Sequence, residues 1–420
     1  MPPSAGLGTA TTQPAEAPHG LAPPTWSRTP LQGRLVNWHD VIVDAPATDT
    51  GMRRSNNQDS YAIVKAARLE AWQAKGHVFM VADGMGAHAV GELASKMACD
   101  HIPHHYTKSK VAAPAEALVK AYRDVGGMIH GKSTLNKDFE GMGTTCSTLV
   151  LLPAGCMIGH VGDSRVYRIR QGKIQQLTFD HSLVWELLKR KHLSPEQAER
   201  FVHRNVITRS LGPDPNVEVD IEGPYPVEVG DIFLLCSDGL SNPVENAELG
   251  AFAANFHPND ASQYLLHLAN LRGGNDNITI VLARAGAWVE PGTEAANAAP
   301  TNTRKEGKGF SIAGLLGSLT GKSAQASVEE HIYAEADCAI TPTMIEKLQK
   351  DIRSVKDVAI ENSWPVDWPK LALHVRNADA FKAQDQYRDA LKLLGEAITM
   401  LGIGGRLHKK QQVREENGGR

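Results

Sequence analysis

Four aspartates stand where an apolar run meets glycine or polar residues. Asp83 lies in VFMVADGMGAH (78–88), Asp163 in CMIGHVGDSR (156–165), Asp238 in IFLLCSDG (232–239), and Asp276 opens DNITIVL (276–282). Apolar runs bounded in this way read as buried strands, so a carboxylate at such a boundary is placed rigidly and can still face a cleft. Gly84 lets the chain turn directly after Asp83 and brings its own carbonyl close to whatever the acid holds. One Asp-Gly pair after a strand is most often only a turn. Four acids at four strand boundaries point instead to a common assembly. Gathered carboxylates repel and raise one another's pKa unless a cation neutralises them. Oxygen ligands suit Mg²⁺ or Mn²⁺, and no Cys/His spacing suggests zinc. Two such ions about 4 Å apart can share a bridging water, make it nucleophilic near neutral pH and clamp a phosphoryl group.

The elements that must position these acids can be read from periodicity. Strand-like runs cover 146–152, 156–161, 166–170, 174–176, 232–236 and 278–283. Short links between 146 and 177, with Gly172 in a tight turn, argue for antiparallel meanders rather than parallel crossovers. Helical spacing appears at 92–101, 114–129 and 183–191, and a capping-box pattern from Ser194 opens another helix. The block is therefore expected to be mixed α and β with much antiparallel sheet.

Composition sets the limits. The chain has 420 residues, 42% hydrophobic and 22% charged, with a formal net charge of −3. That balance gives no reason to expect nucleic acid or an anionic membrane as a partner. No apolar run approaches the ~18–20 residues of a membrane span, and the N-terminus lacks the pattern of a secretory signal. The five cysteines are odd in number and without ligand spacing; three lie in or beside strand-like runs and read as buried thiols, and a reducing cytoplasm is expected.

The expected organisation is a disordered leader (1–35), a folded α/β block (36–286), a linker (287–327), a helical accessory domain (328–405) and a flexible tail (406–420). In the helical part, Thr341 and Pro342 start a helix. Two more follow residue 364, the second expected to end at Gly402 to Gly405. Ala378, Tyr387, Ala390 and Ala397 give this pair a weak resemblance to a tetratricopeptide unit. One such unit forms no stable solenoid alone, so a short bundle docking on a protein partner or on the α/β block is expected. Its removal is expected to leave peptide hydrolysis intact.

Eight pieces in order carry a more specific resemblance: GMRRSNNQDS (51–60), VADGMGAH (81–88), GMGTT (141–145), GHVGDSR (159–165), LTFDHS (177–182), RNVITRSLG (204–212), CSDGL (236–240) and NDNIT (275–279). Together they resemble the bacterial branch of the metal-dependent Ser/Thr protein phosphatases, the PPM family. The resemblance spans about 50–284. It implies an α+β fold of two packed antiparallel β-sheets flanked by helices, with the all-α C-terminal region added. It assigns Asp83, the Gly84 carbonyl, Asp238 and Asp276 to a two-metal centre holding Mn²⁺ or Mg²⁺, with Asp59 beside it. Asp163 and Asn205 match contacts to a third metal, and Arg54 matches the phosphate-binding arginine. A planar guanidinium suits two phosphate oxygens as an ammonium does not. Many relatives have Glu where this chain has Gln58.

The implied activity is hydrolysis of phosphoserine and phosphothreonine by direct attack of a metal-bridging hydroxide, without a phosphoenzyme. Phosphoprotein substrates and a cognate Ser/Thr kinase in bacterial signalling are the implied partners. The leaving alkoxide needs a proton. Met85 stands where eukaryotic relatives have the proposed donor His, which leaves His88, His160, His181 or metal-bound water. Residues 180–211 would form a flap beside the cleft, with His203 on it. The alternative is a catalytically weak phosphoprotein-binding module that acts through its C-terminal helices.

Overall fold

The strands that carry the acids pair side by side, in two sheets. In this computed structural model the described residues are 42–86, 90–190, 192–193, 197, 206–291 and 334–418. The first elements are β1 (Ile42–Asp49), β2 (Asp59–Val64), α1 (Leu69–Lys75), β3 (His77–Met85), α2 (Val90–Lys108) and α3 (Pro114–Leu135). A meander follows: β4 (Gly143–Thr144), β5 (Cys146–Leu152), β6 (Gly155–Val161), β7 (Arg165–Arg170) and β8 (Lys173–Gln176). Next come α4 (Leu183–Lys189), β9 (Asp220–Tyr225), β10 (Ile232–Cys236), α5 (Asp238–Ser241), α6 (Asn246–Asn255), α7 (Pro258–Leu271) and β11 (Ile278–Ala285). Last are β12 (Glu335–Asp337), α8 (Pro342–Glu361), α9 (Trp368–Lys382) and α10 (Tyr387–Gly418).

One sheet has the order β1-β11-β10-β7-β8-β12 and the other β2-β3-β5-β6-β9, with β4 beside β3. Every named pair is antiparallel, as the short links require. The period of two sorts the side chains. Phe79, Val81, Leu149, Leu151, Phe233, Leu235, Val281 and Ala283 form one buried cluster between the sheets. Ile232, Leu234, Ile280 and Leu282 point the other way, into a cluster shared with α6, α7 and the C-terminal helices. On the far side, α2 and α3 bury Ile102, Tyr106, Leu118 and Tyr122. The fold expected from the resemblance, two packed antiparallel sheets between helices, is the one observed.

The C-terminal helices do not stand apart. The described residues fall in one compact unit, and of the two dockings left open by the sequence the structure shows the one on the α/β block. β12 adds an edge strand to β8. Ile345, Leu348, Leu391, Leu394 and Ile398 join the core cluster that covers the β10–β11 face.

One expectation needs correction. Gly402 to Gly405 do not end the last helix, which continues to Gly418. They are sites of close approach. A Cβ at Gly402 would lie 2.4 Å from His267 Nδ1, and one at Gly405 2.7 Å from the Trp364 ring. Glycine costs helix stability but admits a neighbour that no other residue could.

The leader (1–35), most of the linker, the helix expected from Ser194, and His88, His203 and Asn205 lie outside the described residues. Among the described residues, no helix is long and apolar enough to cross a membrane.

Candidate metal centre

Antiparallel pairing brings the acids to one end of the sandwich. β10 runs toward the end where β11 begins, with Cys236 opposite Ile280. Asp238, just after β10, and Asp276, just before β11, are therefore neighbours. In the second sheet Asp59 opens β2 and lies opposite Asp83 near the end of β3. Asp163 occupies the turn from β6 to β7, whose first residue Arg165 pairs with Cys236.

Their surroundings are those of a negative cluster short of counter-charge. Burial, and then the charges of Asp59, Asp238, Asp163 and Asp276, push Asp83 well above the usual carboxylate range. Asp59 is pushed up to about 7 by burial, with Asp238 and Asp276 adding to it against a hydrogen bond from Ser237. Burial likewise pushes Asp163 up to about 7, helped by Asp238 and Asp180. Asp238 is raised by burial and Asp276, with Arg165, Asn242 and Arg54 opposing. Arg165 is largely committed to a two-pronged bond with Asp180, Nε to Oδ1 at 2.9 Å and Nη2 to Oδ2 at 2.7 Å.

Several residues that the sequence did not single out hold these acids. The Ser237 hydroxyl donates to Asp59 Oδ2 at 2.6 Å and accepts from Thr279 N–H at 3.0 Å, tying β2 to both strands that flank Asp238 and Asp276. Thr145 Oγ1 accepts from Asp83 N–H at 2.9 Å and lies 2.8 Å from Ser164 Oγ, linking Asp83 to the Asp163 turn. Asn277 is the hub of the arginine loop. Its side-chain N–H groups donate to the carbonyls of Thr50 and Asn56 at 2.9 Å, and its Oδ1 accepts from Gln58 N–H at 2.8 Å. A buried amide after Asp276, in NDNIT, was the available signal; its partners were not.

Arg54 reaches the cluster. Its Nη2 lies 2.7 Å from Asp276 Oδ2, with about half of the arginine side chain still exposed. Gln58 donates its backbone N–H to Asn277 and packs its side chain beside Gly91. Gly84 has no room for a side chain, since a Cβ would meet the carbonyl oxygens of Gly91 at 2.0 Å and Gln58 at 2.6 Å. Two of the histidines proposed as proton donors are engaged elsewhere. His160 bonds Ser147 Oγ and the Phe179 carbonyl, both at 2.9 Å, and burial lowers it to about 4. His181 Nδ1 accepts from Gly162 N–H at 3.0 Å, and Nε2 faces Asp220 Oδ2 at 3.0 Å.

The donor set fits hard divalent cations. Asp59 Oδ1 and Asp238 Oδ1 are buried and have no hydrogen-bond partner, an arrangement that costs free energy unless something positive meets them. Among the described residues, no three acidic, imidazole or thiolate groups enclose a point by themselves. Mg²⁺-like ions that keep several waters need only one or two carboxylates each.

Comparison with known proteins bears on the same region. A family model described as Protein phosphatase 2C matches residues 52–270. The chain is 35% identical over 240 residues to a protein phosphatase, PhpP, of Streptococcus pneumoniae, covering 56% of this chain and 94% of that one. The Streptococcus agalactiae serine/threonine phosphatase superposes with a TM-score of 0.53 at 34% identity, over 58% of this chain and 99% of the other. The catalytic domain of the serine/threonine protein phosphatase PstP, solved with two manganese ions, gives 0.50 at 31% identity, over 58% and 98%.

Proposed function

The chain belongs to the protein phosphatase 2C family, and from that we propose that it hydrolyses phosphoserine and phosphothreonine in proteins with divalent metal ions. The observation that carries this is that Asp59, Asp163, Asp238 and Asp276 lie close enough to Asp83, at one end of the sandwich, for their charges to raise its pKa, with Arg54 bonded to Asp276.

Asp83, the Gly84 carbonyl, Asp238 and Asp276 are the ligands in this reading. Asp59 lies beside them, and Asp163 with Asn205 serves a third site. Two Mn²⁺ or Mg²⁺ ions held by these residues would supply Lewis acidity for the phosphoryl oxygens and a water of lowered pKa. The protein's own part is positioning and charge. Ser237 and Thr145 fix the acids, and Asn277 fixes the loop on which Arg54 stands. The Arg54 guanidinium offers two parallel N–H donors to the substrate phosphate. With His160 and His181 bonded elsewhere, His88 and water remain to protonate the leaving alkoxide. The five cysteines are all buried, so none is offered as a covalent nucleophile, and direct attack by water is the simpler course. Buried free thiols also suit a reducing, cytoplasmic setting, and a Ser/Thr kinase is the natural source of the substrates. The unpartnered acid oxygens weigh against a metal-free binding module.

The test is release of phosphate from a phosphothreonine peptide. Release that needs Mn²⁺ or Mg²⁺, stops with EDTA and is lost in Asp238→Asn supports the proposal. Inert protein at millimolar Mn²⁺ overturns it.

A further inference from the structure

The loop that carries Arg54 is held by the C-terminal helices. Arg54 follows β1 on a turn whose shape depends on Gly51, at φ +78°, where a Cβ would meet the Asp276 carbonyl oxygen at 2.1 Å. The amides of the turn are satisfied by the α/β block itself. Met52 N–H and Arg53 N–H donate to the Gly274 carbonyl at 2.8 and 3.1 Å, and Gly51 N–H donates to Asp49 Oδ1 at 2.9 Å. The carbonyls are not. Gly51 O and Arg54 O both accept from Lys409 Nζ, at 3.0 and 2.9 Å, and Lys409 belongs to α10. One helical turn earlier, Arg406 Nη1 donates to Asp49 Oδ2 at 2.6 Å, and its Nη2 lies 3.2 Å from His267 Nε2. The glycine at 402 lets α10 approach α7 closely enough for both side chains to reach.

A second arm reaches the loop that carries Asp276. Arg272, at the end of α7, makes paired bonds to Glu248 at 2.6 and 2.7 Å, and to Asp351 of α8 at 2.9 and 2.7 Å. Two residues on, the Gly274 carbonyl holds the Met52 and Arg53 amides. The loops that carry Arg54 and Asp276 are therefore both tied to helices that lie beyond the end of the Protein phosphatase 2C match at 270.

We propose that Lys409 and Arg406 are positioning residues for phosphate binding, so that the C-terminal helices set how well Arg54 is presented to substrate. The proposal rests on the phosphatase reading of Arg54. Neither residue needs to touch substrate. Lys409 bridges the two ends of the Gly51–Arg54 turn, and Arg406 holds the carboxylate that caps its first amide. Losing either lets the turn sample other shapes, and the guanidinium with it. The expectation that residues 328–420 could be removed without effect on hydrolysis is thereby reversed.

The experiment uses the full-length protein with Mn²⁺, a phosphothreonine peptide as substrate and inorganic phosphate as competitive inhibitor. Lys409→Met keeps the aliphatic stem and removes the donor. It should raise both KM and the phosphate inhibition constant by roughly fivefold. Lys409→Arg, which can still bridge two carbonyls, should keep parental values. The Mn²⁺ affinity measured by calorimetry should stay constant, and Lys409→Met should add nothing further in an Arg54→Ala background. Parental kinetics in Lys409→Met would overturn the proposal alone. So would an undiminished effect in the Arg54→Ala background, or a matching loss of Mn²⁺ affinity. An inert parent, or an Arg54→Ala variant with parental kinetics, would bring down the phosphatase reading and this proposal with it.

Discussion

Asp59 and Asp83 are direct register partners across the antiparallel pair β2–β3, a buried acid and a half-buried one set opposite each other at the end of one sheet. Like charges so placed destabilise a strand pair, and the strands keep them because the rest of the sheet is strongly paired. β3 lies between β2 and β5 with five consecutive buried apolar residues, Val78 to Ala82. The proposed cation site would account for the stability given up at this point.

Neutralising one of the acids should accordingly stabilise the metal-free fold while destroying activity. Asp83→Asn keeps the shape of the side chain and removes its charge from a cluster that already holds Asp83 well above its ordinary pKa. In EDTA its unfolding free energy should rise by about 1–2 kcal/mol. Its hydrolysis with Mn²⁺ should fall more than about 100-fold, beyond the usual effect of residues that merely support a metal ligand. Chemical denaturation and a phosphate-release assay read the two effects. A variant less stable than the parent would contradict the electrostatic account of the cluster.

The same raised values fix a pH dependence. Asp59 and Asp163 go from an ordinary 3.8 to about 7 in the fold. Between those values the folded chain holds protons that the unfolded chain has lost, so stability falls as pH rises through the window and levels above it. Below the unfolded value the penalty is absent. Thermal melts in EDTA should therefore show a falling midpoint from about pH 4 to about pH 7 from these groups. Saturating Mn²⁺ should flatten the slope, because bound cations favour the charged carboxylates. An apo midpoint that climbs across that range, with Mn²⁺ leaving the slope unchanged, would be inconsistent with it.

Gly84 is irreplaceable for a reason independent of its carbonyl. Two backbone oxygens, of Gly91 and Gln58, occupy the space a methyl group would need. Backbone cannot swing aside as the end of a long side chain can, so Gly84→Ala should cost roughly 2–4 kcal/mol. Urea unfolding measures this directly. A loss below about 1 kcal/mol would mean that β3 and α2 can part more easily than their packing implies.

Arg272 joins the α/β block to α8 through a carboxylate with almost no exposure, Glu248 at 1%. Arg272→Met would leave that buried charge with Lys347, 3.3 Å away, and the Glu245 N–H at 3.0 Å. Breaking such a pair costs about 3 kcal/mol. The loss should appear as one cooperative transition shifted to lower urea, because the C-terminal helices share a core with the sheet. Two separate transitions in the parent would argue that the helices fold on their own.

Much of this was legible in the chain, and the parts that were not have physical causes. The acids could be found because a charge at the end of an apolar run is conspicuous, and the meander from β5 to β8 because its links are short. β1 escaped because Pro46 interrupts it. As an edge strand it has one unpaired side where a missing N–H does no harm. β9 was hidden by Gly223 and Pro224, and β12 by its three-residue length. The glycines of α10 read as a terminus because helix propensity knows nothing of the ring of His267 across the groove. Ser237 and Asn277 act on partners 178 and 227 residues away in sequence, Asp59 and Thr50, and no local pattern records such pairing. The dependence of the Arg54 turn on Lys409, 355 residues further along, is of the same kind.

The central claim is that carboxylates from separate strand ends converge to hold divalent cations. Anomalous diffraction at the manganese edge, from crystals of the full-length protein grown with Mn²⁺, tests it most directly. The expected result is two peaks in the cleft, within coordination distance of Asp83, the Gly84 carbonyl, Asp238 and Asp276. A cleft without anomalous density at millimolar Mn²⁺, or peaks confined to other surfaces, would contradict it.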